Sequence, residues 1–303
     1  MPNSYLNTDN SRSAAQVANS TTLGASVANP FVGLLPGTSF NNATIARSQL
    51  LRPFPEFGSI LTSNNDGKSW YHAGQFSLQK RFTKGYTVSA SYTWSKWLQA
   101  TEYLNTGDAT PTKMIADQDS TNRFALSALY ALPFGKGQQL FSSPGWLMNA
   151  VFGGWQIGGT YQTQSGFPIP FGAFNITTSV TSGDLFYTGG TIAIPRSQRT
   201  ASLWFNTAAF STVAPVSHLR TLPYRFSSVR RDFINNVDMS LKKDVQIRES
   251  MKIQLKFELL NAFNHPYFPN PVVSQTAANF GQISASNQAN YARRAQLGLK
   301  FIF

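Results

Sequence analysis

The chain has 303 residues, of which 13% are charged and 14% aromatic, and a formal net charge of +12. Soluble domains carry about 25% charged residues, so a chain with half that share either hides its surface or shows it to something other than water. Cysteine is absent, which excludes disulfide staples and thiolate metal sites. The basic residues are scattered, mostly one at a time, and never form a 5–8-residue Lys/Arg tract, which argues against nucleic acid as a partner.

No stretch approaches the ~20 consecutive apolar residues of a membrane-spanning helix, and the mean hydropathy is −0.20. A transmembrane barrel passes unseen through that test, because lipid-facing and lumen-facing residues alternate and average out.

Residues 1–68 lack clean alternation and are rich in Asn, Ser, Pro and Gly. They are expected to form an irregular extracellular loop region with at most one short strand, around Phe57 to Thr62. The opening run MPNSYLNTDNSRSAAQ has no basic segment followed by an apolar one. A barrel has to be exported, so a signal is expected upstream of it.

From residue 69 to residue 303 period-2 alternation recurs, and this part is expected to be a barrel segment. In YTVSASYTWSKW, Tyr86, Val88, Ala90, Tyr92 and Trp94 fall on one face and Thr87, Ser89, Ser91, Thr93 and Ser95 on the other. A helix would scramble those sets, so this is a strand. NRFALSALYAL places Phe124, Leu126, Ala128, Tyr130 and Leu132 together. In MKIQLKFELL, Met251, Ile253, Leu255, Phe257 and Leu259 oppose Lys252, Gln254, Lys256 and Glu258. Weaker alternation in HAGQFSLQKRF, WQIGGTYQTQSG and NNVDMSLKK completes a set of strands at roughly 70–82, 86–97, 122–134, 151–165, 232–244, 251–263 and 292–303. These are long beside the ~5–6 residues usual in globular sheets, and they match the ~9–11 of a tilted membrane strand.

The intervening segments alternate in length: 83–85, 135–150 and 245–250 are the shorter, 98–121, 166–231 and 264–291 the longer. Outer-membrane barrels have short periplasmic turns and long extracellular loops. One orientation sorts all six connections. The expected fold is all-β: an antiparallel transmembrane β-barrel, partial, of seven or eight long meander strands.

Within that frame Lys242, Lys252, Gln254, Lys256 and Glu258 are expected to face the lumen. Aromatics near strand ends (Trp70, Tyr71, Tyr92, Trp94, Trp97, Tyr130, Phe134, Trp155 and Tyr161) read as interfacial girdles, because amphipathic rings prefer the headgroup level. Tyr92, Trp94, Tyr130, Trp155 and Tyr161 are the main candidates for lipid-interface contact. A carbohydrate-stacking platform is the rival reading. The loop residues Arg196, Arg199, Arg220, Arg225, Arg230 and Arg231 are open to lipopolysaccharide phosphates or to plain solvation. His72, His218 and His265 have no metal-ligand spacing, Asp117 and Asp119 read as turn chemistry, and no nucleophile or phosphate-binding motif is present. No cofactor, metal or enzymatic activity is expected.

The last residues, QLGLKFIF, resemble the terminal recognition signal of outer-membrane barrels, with Gln296, Gly298, Phe301 and Phe303 in its four defined places. The resemblance implies that the barrel-assembly machinery pairs with this strand by β-augmentation. SLQKRFTKGYTVSASYTWSKW, FGGWQIGGTYQTQSGFPI and the pair FELLNAFNHPYF and ARRAQLGLKFIF resemble the C-terminal barrel half of TonB-dependent receptors. The subgroup they are most similar to is the Oar-like one, common in acidobacteria, with a carboxypeptidase-regulatory-like domain; NPFVGLLPGTS and ARSQLLRPFPEF resemble its loop segments. That implies outer-membrane lipid and lipopolysaccharide as surroundings, and a plug and TonB as partners only through regions outside this sequence. Binding of a scarce ligand at the long loops, above all 166–231, is the implied function. A small barrel that closes by itself, with a structural or adhesion role, is the alternative.

Overall fold

The computed structural model describes residues 14–303 other than 84, 106, 172–186, 212–219, 221, 249, 276 and 284–288. Its frame is one antiparallel sheet. The main strands are β3 (Lys68–Thr83), β4 (Tyr86–Ala100), β6 (Asn122–Ala131), β7 (Trp155–Gln164), β10 (Ile234–Arg248), β11 (Met251–Leu260) and β12 (Arg294–Ile302). They lie in the order β12-β11-β10-β7-β6-β4-β3, with the short β5 (Met114–Ile115) paired to the end of β4. Every neighbour in that path is antiparallel and next in sequence among the long strands, which is a meander. Lys68 to Ala100 shows how the pairs form: Gly85 takes φ 86° in the tight connection, so β4 runs straight back along β3.

The register decides which residues share a face, since directly opposed residues point the same way. On β11, Ile253, Leu255 and Phe257 oppose Val245, Lys243 and Leu241 on one side and Phe301, Leu299 and Leu297 on the other. The same face continues through Ile157 and Tyr161 of β7, Leu126 and Tyr130 of β6, Tyr92 and Trp94 of β4, and Phe76 and Leu78 of β3. The opposite face carries Lys252, Gln254, Lys256 and Glu258, then Asp244, Lys242 and Ser240, then Gln156, Thr160 and Gln162, and beyond them Ser127, Ser89 and Gln79. The apolar face is largely uncovered: Leu297, Leu299, Phe76 and Leu78 are each more than 60% exposed. A face that is apolar, continuous and uncovered is what a lipid-facing wall presents.

All long connections leave the same end of the sheet: 101–121, 165–233 and 261–293, together with the segment that enters β3. The other end has 84–85, 249–250 and the intermediate 132–154. The turn after β10 is shorter than the sequence implied, because β10 extends to Arg248 across a register irregularity between Gln246 and Arg248. The expected strand start at 151 is corrected to Trp155. Residues 146–152 form helix α3 instead (Trp146–Phe152), which ends where Gly154 takes φ 70° and lies against the Asp244 carbonyl.

Residues before β3 hold more structure than one short strand. Helix α1 (Ala14–Gly24) has three alanines and no core-facing stripe, so periodicity did not reveal it. A small ladder pairs β1 (Ser26–Ala28) with β2 (Thr44–Ala46), followed by the one-turn helix α2 (Arg47–Leu50). Residues 57–62 form no strand. Among the described residues β3 and β12 are both edge strands, and they do not pair with each other.

Candidate functional site

The long connections do not hang as separate loops. β8 (Pro168–Pro170) and β9 (Arg225–Arg230) pair as a short ladder within 165–233. Around it Ile169, Phe171, Trp204, Phe205, Phe210, Val229 and Ile283 form a buried apolar cluster. Phe171 is fully buried, with Phe205, Phe210 and Phe226 rings 5.1–5.6 Å from its own. The cluster draws Phe280 and Ile283 from 261–293, so two loops share one core.

Buried arginines tie this cap to the third loop and to the wall. Arg225 donates to Glu102 at 3.1 and 3.2 Å and to the Ile115 carbonyl at 3.0 Å. Arg230 meets the Asp119 carboxylate at 2.6 Å and also donates to the carbonyls of Asp119 and Gly166. Asp119 is 1% exposed, and its other oxygen accepts from the Trp97 backbone N–H at the end of β4. Arg220 donates to the Phe171 and Leu222 carbonyls. Of the six loop arginines, Arg220, Arg225 and Arg230 are therefore internal cross-links, neither solvated nor facing lipopolysaccharide. Asp119 closes the expected turn through its backbone N–H to the Ala116 carbonyl, and its carboxylate does more: fully buried, it is stable only because its charge is matched and each oxygen has a donor.

Beneath the cap, the polar face holds a cavity of about 550 Å³ at the extracellular mouth. Tyr71, Gln75, Thr93, Ser95 and Trp97 line it from β3 and β4, Arg123 and Gln164 from β6 and β7, and Gln118, Asp119, Ser120 and Phe167 from the loops. Tyr71 and Trp97 are directly opposed in register and meet edge to face at 6.3 Å. The Trp97 indole N–H donates to Ser69 Oγ at 2.7 Å, which fixes the ring. Both residues were expected in the lipid girdle; they sit on the lumen face instead. Their parity already differed from that of Tyr92 and Trp94, and reading the alternation strictly would have separated them. Aromatic faces among amides and hydroxyls can pack against a ring while the amides set its direction.

The remaining sequence candidates lie elsewhere. Tyr92, Trp94, Tyr130, Trp155 and Tyr161 all occupy the apolar face. Tyr130 and Trp155 are near its short-turn end, Trp94 near its loop end. Lys242, Lys252, Gln254, Lys256 and Glu258 share the polar face, away from the mouth; Lys256 pairs with Glu258 at 2.7 Å, and Lys252 approaches Asp244 at 3.5 Å. Gln296 and Gly298 oppose Glu258 and Lys256, Phe301 opposes Ile253, and Phe303 is 90% exposed beyond the end of β12. His218 and residues 172–186 of the long loop lie outside the described residues. Among the described residues no group of His, Asp and Glu is arranged to hold a metal ion.

A meander of long strands with one apolar and one polar face, and all long loops at one end, defines the wall of a transmembrane β-barrel. The chain matches the family described as an outer membrane beta barrel domain over residues 4–296, and it belongs to that family. It is a protein of the bacterial outer membrane. Comparison with curated proteins and with solved structures gives no match.

Proposed function

We propose that the chain is the C-terminal barrel portion of a TonB-dependent outer-membrane receptor. It contributes a third or so of the barrel wall and the loop cap that first meets a scarce ligand. The plug and the TonB contact belong to other parts of the receptor, so this portion does not transport alone. The carrying observation is the open sheet. β3 and β12 each expose a row of unpaired backbone groups among the described residues, and every such group costs several kcal/mol in hydrocarbon. Such a wall needs further strands to complete it. The resemblance of the β3–β4 hairpin and the terminal strand to receptor barrels supports the same reading, as does the cavity at the mouth, in the position a ligand reaches from outside.

The test is heat modifiability after refolding the purified chain into lipid vesicles, with far-UV circular dichroism alongside. The expected result is no compact, fast-migrating form on the gel when the unboiled chain is alone. A compact β form that boiling shifts would mean that the chain closes by itself, and the receptor-portion reading would fail.

A further inference from the structure

A second cavity, of about 380 Å³, opens in the loop cap on the other side of the Asp119–Arg230 pair. Four arginines line it: Arg196, Arg199, Arg230 and Arg231, with Asp232 and His265 as the other titratable groups on its wall. Arg230 is neutralised by Asp119. The other three form no ion pair among the described residues. Asp232 offsets one of them: its carboxylate lies near Arg196 and Arg199 without forming an ion pair, and its oxygens accept from the backbone N–H groups of Phe233 and Phe268. Three cations thus face one carboxylate, an excess of two charges in a partly desolvated space.

The guanidinium groups are also held ready. Arg196 lies over the Phe233 ring at 3.6 Å and Arg231 over the Phe167 ring at 4.2 Å, contacts that fix each plane while leaving its N–H edge open. The Arg231 Nε is buried with no hydrogen-bond partner. An unpaired buried donor is costly, and here it sits beside two other arginines with N–H groups to spare. Burial and the nearby Arg196 push the Arg199 guanidinium below its ordinary value, and Asp232 offsets this only in part.

We propose that this pocket binds a dianionic oxyanion, specifically the phosphate group of a phosphate monoester, forked between Arg196, Arg199 and Arg231. Planar guanidinium forks match the oxygen spacing of phosphate, and the excess of two charges matches a dianion. The aromatic residues Trp204, Phe233 and Phe268 on the same wall leave room for an organic group beyond the phosphate. The proposal rests on the pocket alone and stands whether or not the chain belongs to a TonB-dependent receptor.

The experiment uses the full chain in detergent micelles, where water reaches the open edges of β3 and β12, with inorganic phosphate as the probe in titration calorimetry. Saturable binding is expected, weakened about tenfold or more in R196Q and R199Q and unchanged in R47Q, an exposed arginine of α2 that lines neither cavity. Arg196 is exposed, so R196Q keeps the fold, and circular dichroism on each variant checks it. If R199Q misfolds, R196Q decides alone. No saturable phosphate binding by the folded chain, or equal affinity in R196Q, overturns the proposal. Displacement of phosphate by lipopolysaccharide but not by its dephosphorylated form would identify a lipid headgroup as the source. Displacement by glucose 6-phosphate alone would identify a free solute.

Discussion

The strand wall and the loop cap solve the burial problem in opposite ways. The wall turns its large apolar side chains outward, with Leu297, Leu299, Phe76 and Leu78 uncovered, and keeps most of its charges on the inner face. The cap buries Phe171, Phe205 and Ile169 completely and cross-links its surface with internal arginines. The wall is stabilised by hydrocarbon around it and by ladders within it, the cap by an ordinary core. Damage to one should therefore read out differently from damage to the other.

The largest effect is expected in the cap. Asp119→Ala strands the largely buried Arg230 charge and the Trp97 N–H together, and breaking such a pair costs about 3 kcal/mol. Phe171→Ala should cost about as much through lost packing. Limited proteolysis should then cut the loops quickly while the far-UV β signal of the wall persists. Loss of both signals together would mean that cap and wall are one cooperative unit.

The wall has its own contrast, next in size. Leu255→Arg places a charge on the apolar face in mid-strand and should cost about 2–4 kcal/mol. Gln254→Arg, one residue away on the polar face, should change stability by about 0.5 kcal/mol or less. Urea titration in detergent micelles measures both, and equal costs would break the assignment of faces. Gly154→Ala acts at the junction of α3 and β7, where a Cβ would lie 2.3 Å from the Asp244 carbonyl at φ 70°. It should cost about 1–3 kcal/mol and leave proteolysis of the cap unchanged.

The smallest effect concerns the phosphate pocket. Burial raises the Asp232 carboxyl above its ordinary value, against the pull of the Phe233 and Phe268 amides. Acidification below neutrality therefore protonates it earlier than a free carboxyl and removes the one negative charge on that wall. Affinity for sulfate, a dianion that does not itself titrate there, should rise severalfold on acidification, and the rise should begin above the ordinary carboxylate range. His265→Gln separates the share of the only other titratable group besides the arginines on the pocket wall. A flat profile in His265→Gln would remove Asp232 from the account.

The same contrast explains what the sequence disclosed. Wall residues follow a period of two over long runs, so Tyr92, Leu126 and Phe257 could be assigned to one face before any register was known. The loop polarity followed from connection lengths alone. The cap is different: Phe171, Phe205, Phe210 and Phe280 are gathered from more than a hundred positions with no repeat. Asp119 and Arg230 meet across 111 residues, so neither could be paired from spacing. Tyr71 and Trp97 are the intermediate case, legible by parity and misassigned by their position near strand ends. Helix α3 escaped because WLMNAVF is apolar without alternation, a run that periodicity alone assigns to neither strand nor helix.

The most direct test of the account is which face of β11 meets lipid. The chain has no cysteine, so single substitutions Ile253→Cys through Glu258→Cys can each carry one spin label in detergent micelles, where water reaches the open edges. Accessibility to oxygen, which partitions into hydrocarbon, is compared with accessibility to a water-soluble nickel chelate. Residues 253, 255 and 257 should favour oxygen and 254, 256 and 258 the chelate, alternating at every step. Uniform accessibility along the strand, or the opposite phase, would contradict a wall with its apolar face in the bilayer.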